Sequence, residues 1–485
     1  MYGSGAVNVL CVASEMAPFA KTGGLADVMA ALPRHLARAG HDVRVFLPLY
    51  DTAKVRAADL APVMDGFEVA LGPHRYAVQI VSPAGDPLVH FVHCPALYAR
   101  GGLYTTDDDE HRRFLALSWA ALMACQRMGF APDVIHGNDW QSGFLPLTLK
   151  CRFAWDRLFA RARTLLTIHN LNYQGVFAAS MVPDTNLADS VHLFHQDQLK
   201  EGRVNSLLHG ILYADGISTV SPTYSQEIQT PEHGAGLDPF LRARSSTVIG
   251  ILNGVDYDEW SPEFDRHIPH RYSAADLAGK ERDKEDLLGK MGLPYQAGVP
   301  LVGMISRLAG QKGLELVGEV MPHLLRRHGF QMVVLGSGES RLELMFSQLQ
   351  RSFPRQVGFY RGFLEPLAHL IEAGADMFLM PSRYEPCGLN QMYSLRYGTV
   401  PIVHRTGGLA DTVKTWSPAA GAGNGFAFEH HDAAGLTWGV EAALATYRDR
   451  ATWARLQQNG MAEDFSWSVQ ARLYERVYQR LGATA

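Results

Sequence analysis

Cysteine is scarce in this 485-residue chain: Cys11, Cys94, Cys125, Cys151 and Cys387 are an odd set at wide spacing, with no C-x-x-C pair. That argues against a disulfide framework or a zinc ribbon and for a reducing compartment. Long apolar runs are also missing. None approaches the roughly 20 residues needed to cross a bilayer, and the first, Val7–Val12, lacks the basic flank and the length of a signal-peptide core. The reading expects a cytoplasmic protein with no membrane contact. Charge of one sign is nowhere concentrated: 44 basic and 49 acidic residues are interspersed, for a net charge of −5, so nucleic acid is not an expected partner. Several signatures of chemistry are absent too. There is no Walker A loop, no H-E-x-x-H, EF-hand loop or Cys/His cluster, and no G-x-S-x-G elbow. Gly336-Ser337-Gly338 fails as a dinucleotide fingerprint because Arg341 stands at the third glycine position. No cofactor and no metal are therefore expected.

What is present is a long chain, 47% hydrophobic and 19% charged, enough for more than one core. An apolar strand at Val7–Ala13, a Gly-containing loop, a helix at Ala26–Ala39 and a strand at Asp42–Leu47 form a β-α-β unit, with Pro33 expected to kink or restart the helix and Gly40 to end it. The same grammar resumes near residue 300. Strands are predicted at Pro300–Ser306, Gln331–Leu335, Val357–Arg361, Met377–Pro381 and Val400–Val403, with helices between them. Alternation of this kind predicts α/β architecture: two Rossmann-like, doubly wound parallel sheets. The predicted domains are 1–250 and 272–464, joined by a linker over 251–271, with an amphipathic helix within 465–485 that packs back on the first domain. Thr22-Gly-Gly-Leu-Ala-Asp recurs as Thr406-Gly-Gly-Leu-Ala-Asp, an echo that suggests a duplicated architecture.

The candidate residues fall at strand ends, where doubly wound sheets bind ligands. Lys21-Thr22-Gly23-Gly24 supplies a close backbone approach, a cation and a helix N-terminus suited to phosphate, or simply a tight turn. Arg307 and Lys312 follow the first strand of the second domain. They offer two cations for a departing diphosphate, or an exposed basic loop. In Pro381-Ser-Arg-Tyr-Glu385-Pro-Cys387-Gly388-Leu389, a carboxylate in a tight turn can bond sugar hydroxyls and offset charge at an anomeric carbon. His169 and Asn170 end one strand. Asp139 and Trp140 end another, an acid beside an aromatic ring that suits carbohydrate. Either pair also reads as ordinary structure. The acidic run Asp107–Glu110 reads as solvated surface.

Together these segments resemble the bacterial glycogen synthase and plant starch synthase family. The resemblance rests on Ala13-Ser-Glu-Met-Ala-Pro18, Lys21-Thr-Gly-Gly-Leu-Ala-Asp-Val28, His136-Gly-Asn-Asp-Trp140, Thr167-Ile-His-Asn170, Asn253-Gly-Val-Asp256, Ser306-Arg-Leu308, Lys312-Gly313, the Pro381–Leu389 segment and Thr406-Gly-Gly-Leu-Ala-Asp411. It implies a GT-B fold, two such domains around a deep cleft. It implies retaining transfer of glucose, without a metal, from ADP-glucose to the non-reducing 4-hydroxyl of an α-1,4-glucan (glycogen or a maltooligosaccharide).

On that resemblance Glu385, Arg307, Lys312 and His169 are the catalytic set. Donor binding falls to Lys21, Gly23, Gly24, Asp27, Asn253, Phe363, Cys387, Gly388, Leu389, Thr406, Gly407 and Gly408. Tyr104, Asp139, Trp140 and Asn170 are sugar- or acceptor-side residues. Three positions depart from what the resemblance leads one to expect. Tyr393 stands where many related retaining enzymes carry a second glutamate, Gln141 where a histidine often follows Asp-Trp, and Phe363 where a tyrosine often stacks on the base. The competing readings are a Rossmann dehydrogenase, a phosphorylase of similar layout and a non-catalytic glucan-binding protein.

Overall fold

A computed structural model of the chain describes residues 5–56 and 58–483. The chain divides into two compact units. One comprises Met1–Val220, Ser225–Gly254 and Trp467–Ala485, the other Ser221–Tyr224 and Val255–Ser466.

The first unit is built on a ten-stranded sheet. Its parallel part runs Val248–Gly250, Gly216–Thr219, Arg163–Ile168, Val134–Asn138, Asn8–Val12, Asp42–Pro48, Val89–His93. The two-residue period of the first strand serves both faces. Leu10 and Val12 pack in the cluster beneath helix Glu110–Met128, whereas Val9 and Cys11 pack beneath helices Gly24–Arg38 and Trp467–Ala483. An antiparallel extension, His74–Pro83 with Leu60–Pro62 and Phe67–Leu71, continues the sheet beyond Val89–His93. Sequence patterning did not anticipate it.

In the second unit all six strands are parallel, in the order Val357–Arg361, Gln331–Gly338, Leu301–Leu308, Met377–Met380, Val400–His404, Phe426–Phe428. Numbered within the unit this is 3-2-1-4-5-6, the doubly wound order in which chain direction across the sheet reverses between strands 1 and 4. The parallel part of the first sheet obeys the same rule, reversing between Asn8–Val12 and Val134–Asn138. These two α/β units are the fold class the sequence predicts.

Three expectations are corrected. The helix Gly24–Arg38 runs unbroken through Pro33, a buried residue, and starts earlier than predicted. Residues 255–271 are not a free linker, because Asp265 is 1% exposed, accepts from Tyr397 Oη at 2.6 Å and lies 2.8 Å from His369 Nδ1. Residues buried this way belong to a core, and each such bond contributes about 1–3 kcal/mol when an ion is one partner. The Thr-Gly-Gly echo is not a duplicated element. Its first copy follows the first strand of its unit and its second copy the fifth strand of the other. The helix starts also differ, with Gly23 as N-cap in one copy and Thr406 in the other.

Candidate active site

Each unit gathers most of its candidate residues at strand ends around the reversal point of its sheet, whereas Phe363 and Asn253 follow edge strands, Val357–Arg361 and Val248–Gly250. In the second unit, Arg307 is the penultimate residue of strand Leu301–Leu308, and Lys312 follows in a short 3-10 turn. Glu385 follows the neighbouring strand, Met377–Met380. Lys312 Nζ donates to Glu385 Oε2 at 2.6 Å, and Ser382 Oγ donates to the same oxygen at 2.9 Å. Glu385 is 6% exposed and therefore must be paired. Both bonds fall on Oε2, while Oε1 accepts from none of the described residues. The Arg307 guanidinium is exposed and makes no ion pair among them.

The turn Pro386–Leu389 leads into helix Asn390–Arg396, with Gly388 at φ +72°. Gln391 Nε2 braces the turn by donating to the carbonyls of Cys387 and Gly388. Thr406–Gly408 packs on the back of this segment, where Gly408 N donates to the Glu385 carbonyl at 3.1 Å. A Cβ at Gly407 (φ +43°) would overlap that carbonyl oxygen, and one at Gly408 would overlap the Cys387 carbonyl. These two glycines thus admit a strand of the protein's own backbone. The exposed Phe363 stands in the loop after Val357–Arg361, 73% accessible and open to a planar ligand.

Tyr393, at the position of the departure noted above, is committed to packing. Its ring stacks on Trp260 at 4.0 Å, with 2° between the planes.

In the first unit the organising residue is Glu15, which sequence reasoning did not single out. It is 4% exposed and sits just beyond strand Asn8–Val12. Its carboxylate accepts from Thr22 N (2.6 Å), Gly23 N (3.2 Å), Thr22 Oγ1 (2.6 Å) and Tyr104 Oη (2.6 Å). The Lys21–Gly24 turn is therefore shaped by an internal anion, and the amides left for an outside anion are those of the helical turn that begins at Gly24. An acid immediately after the first strand, inside the Ala13–Pro18 segment, was the available signal. Lys21 Nζ pairs with Asp27 Oδ1 at 2.6 Å, and burial nonetheless keeps the Asp27 carboxyl above its ordinary range.

Asp139, at φ +53°, turns its carboxylate back onto the next strand end, where Oδ1 accepts from His169 N at 2.7 Å and Asn170 N at 3.5 Å. Burial raises Asp139 to about 7. His169 Nε2 lies 2.9 Å from Asn138 Oδ1, and Asn138 Nδ2 donates to the carbonyls of Val12 and His136. That assignment makes Nε2 the donor and leaves Nδ1 as an acceptor. Burial lowers His169 to about 3, so the ring is neutral at pH 7. Trp140 is edge-on to Phe114 at 4.9 Å and packs on Phe177 at 5.5 Å. Its ring is held by the protein rather than presented as an open platform. Asn253 is 5% exposed, with Oδ1 unpartnered. The acidic run Asp107–Glu110 is not mere solvated surface. Glu110 is 6% exposed and pairs with the fully buried Arg113 at 2.8 Å.

Four histidines of this unit are held neutral by burial, His90 and His209 at about 4, His136 and His169 at about 3. Below pH 6.5 the unfolded chain binds protons at these sites and the native chain does not, so stability falls as pH falls. Asp139 acts with the opposite sign, since the native state takes up its proton first. The net of about three protons gives a slope of about 4 kcal/mol per pH unit near pH 5. Amide exchange at residues 134–138, followed from pH 7.5 to 5, is expected to show global opening becoming steeply easier. A flat profile after correction for intrinsic exchange contradicts this assignment.

The comparisons with known proteins agree in both units. The profile described as "Starch synthase catalytic domain" matches residues 8–243, and "Glycosyl transferases group 1" matches residues 293–460. The chain is 46% identical over 483 residues to a glycogen synthase of Anaeromyxobacter sp. (strain Fw109-5), covering 98% of this chain and 100% of the relative. It is 45% identical over 485 residues to one of Myxococcus xanthus, covering 98% and 100%. Among solved structures, the catalytic domain of starch synthase IV from Arabidopsis thaliana, bound to ADP and acarbose, superposes with a TM-score of 0.91 at 37% identity, covering 99% of this chain and all of that one. A sucrose-phosphate synthase from Thermosynechococcus elongatus, with a TM-score of 0.62 at 18% identity over 99% and 100% of the two chains, shares the fold. No helix among the described residues is long and apolar enough to cross a membrane. The chain is a glycosyltransferase and belongs to the family of bacterial glycogen synthases and plant starch synthases.

Proposed function

We propose that this chain transfers glucose from ADP-glucose to the non-reducing 4-hydroxyl of an α-1,4-glucan, with retention at the anomeric carbon and release of ADP. The observation that carries the reading is the Lys312–Glu385 pair at 2.6 Å, at the reversal point of a doubly wound sheet, with the exposed Arg307 on the adjoining strand end. A nucleoside diphosphate leaving group needs cations, and a developing oxocarbenium needs a nearby anion. Arg307 and Lys312 hold the diphosphate, and Lys312 neutralises it as the glycosidic bond breaks. Glu385 holds the glucosyl hydroxyls through its uncommitted Oε1. The amides of Gly388 and Leu389, with Cys387 beside them, support the donor, and Thr406–Gly408 fixes their position. Phe363 stacks on the base without the hydroxyl contact a tyrosine would add. From the first unit, Gly23, Gly24, Lys21 and Asp27 serve the donor, as does Asn253.

Neutral His169 accepts from, rather than charges, a sugar hydroxyl, and Asp139 keeps its loop in place beside Asn170 and Trp140. Tyr104 presents its ring on the sugar side, its hydroxyl engaged by Glu15. Tyr393, at the position where many related retaining enzymes carry a second glutamate, is stacked on Trp260 and supplies no nucleophile. Transfer on the same face therefore proceeds with the leaving diphosphate accepting the proton of the incoming hydroxyl. The reaction requires no metal or cofactor, and the protein works in the cytoplasm of a bacterium.

The ADP bound to the Arabidopsis enzyme supports the donor assignment. The test is nucleoside diphosphate release from ADP-glucose and UDP-glucose, each with and without glycogen. Acceptor-dependent release, faster with ADP-glucose, is expected. Preference for UDP-glucose overturns the donor. Glycogen binding without release from either donor overturns the reaction.

A further inference from the structure

His369 is 0% exposed, yet only one of its two ring nitrogens is satisfied. Nδ1 lies 2.8 Å from Asp265 Oδ2, and Nε2 is buried without a partner. A carboxylate only accepts, so the proton sits on Nδ1 and Nε2 carries a lone pair. That orphan is not alone. One donor atom each from His267, Glu365 and His369 lies within 4.8 Å of the others. Glu365 and His369 are one helical turn apart at the start of Glu365–Gly374, so both project from one face. His267 comes from the packed segment 255–271. The Glu365 carboxylate is exposed and makes no ion pair among the described residues.

We propose that His267, Glu365 and His369 form a binding site for a divalent cation of the zinc type. Two imidazoles and a carboxylate suit such an ion, and the exposed side of the site leaves a further position to water. Asp265 supplies the carboxylate behind a ligating histidine that fixes its tautomer and orientation, as such sites require. Trp260 stacks on the His369 ring at 3.7 Å and holds its plane. The cost is small. His267 Nε2 now accepts a 3.3 Å bond from Arg266 Nε, which is lost whichever ring nitrogen binds the ion. None of Arg307, Lys312 and Glu385 belongs to the cluster, so the ion takes no part in glucosyl transfer. Its role is structural: it ties the helix that starts two residues after Phe363 to the 255–271 segment.

The test is calorimetric titration of the chelator-treated full chain with zinc chloride in a non-coordinating buffer. Cobalt(II) serves in parallel as a visible-absorption probe. His369→Ala risks unfolding the core, so the variants are Glu365→Gln and His267→Ala, both at accessible positions. A second cluster, His270, Asp283 and Asp286, is controlled by His270→Ala. Wild type is expected to bind one equivalent, weakened at least tenfold in Glu365→Gln and His267→Ala and unchanged in His270→Ala. Absence of zinc binding to wild type overturns the proposal, and so does equal binding by all variants. Loss only in His270→Ala also overturns it and assigns the metal to the second cluster.

Discussion

Replacement of Glu385 by glutamine is expected to lower kcat for glucosyl transfer by about 10²–10³-fold, the range found when a single buried group that stabilises transition-state charge is removed. The amide is nearly isosteric and can still meet Ser382 Oγ, so the turn keeps its shape. What is lost is the negative charge that faces Lys312 at 2.6 Å. Freed of that partner, Lys312 turns its full charge to the diphosphate. Donor KM is therefore expected to stay within threefold or to fall, while kcat collapses. Steady-state ADP release and an unfolding curve in urea separate this from damage to the fold. A kcat within threefold of wild type, from protein of unchanged stability, removes Glu385 from the reaction.

Glu15→Ala is the second large effect expected. The substitution strands three donors at once, Thr22 N, Gly23 N and Thr22 Oγ1, and takes one of two partners from Tyr104 Oη, which keeps Ser14 Oγ at 2.8 Å. Thr22 is exposed, so water reaches part of this set and limits the loss of stability to about 2–4 kcal/mol. The catalytic loss is larger than that stability change suggests, because the Lys21–Gly24 turn no longer has the anion that shapes it. A misplacement on the scale of 1 Å can cost about a hundredfold, and kcat/KM is expected to fall by at least that. Tyr104→Phe removes one of the four bonds to Glu15, together with the contact to Ser14 Oγ, and is expected to cost about 1–2 kcal/mol. Its kcat/KM should sit far above that of Glu15→Ala. If the two variants behave alike, Glu15 acts only through Tyr104 and the turn does not depend on it.

Much of the second unit could be read from the sequence, because in parallel sheets buried on both faces each strand is a near-continuous apolar run bounded by turn residues. Val357–Arg361 was placed to the residue, and Leu301–Leu308 and Gln331–Gly338 were found with their ends short. The antiparallel extension at Leu60–Pro62, Phe67–Leu71 and His74–Pro83 was not found. Phe67–Leu71 alternates buried and less buried positions with period two, and His74–Pro83 does so over much of its length, so neither shows the continuous apolar run that marks the parallel strands, and Leu60–Pro62 is too short to show a pattern. At the site, Glu385, Arg307, Lys312 and His169 declare themselves by standing at strand ends. Glu15 stands at one as well, but its importance depends on which backbone amides fold back onto it seven residues later, and spacing alone does not carry that. Pro33 misled because its restriction is local. The buried face of Gly24–Arg38, with Leu25, Val28, Met29, Leu32 and Leu36, holds the helix together across it. Asp265 looked like part of a polar tether because sequence cannot show that a histidine and a tyrosine more than 100 residues away will claim its carboxylate.

The last helix, Trp467–Ala483, is part of the first unit's core. Trp467, Tyr474 and Tyr478 pack with Val9, Cys11, Met29 and Leu32, and Tyr478 Oη meets the buried His136 Nδ1 at 2.9 Å. During vectorial synthesis this has a consequence for order. The first unit emerges from the ribosome with one face of its sheet covered only in part, by helix Gly24–Arg38, and it waits through more than two hundred residues of the second unit before its closing helix is made. The second unit, continuous from Val255 to Ser466 apart from one short segment, has all its strands by then. The half of the protein translated first is thus the half completed last, and an apolar groove between Val9 and Leu32 is bare throughout that interval. A nascent chain of this topology is a natural client for chaperones that shield such a surface until the closing helix emerges.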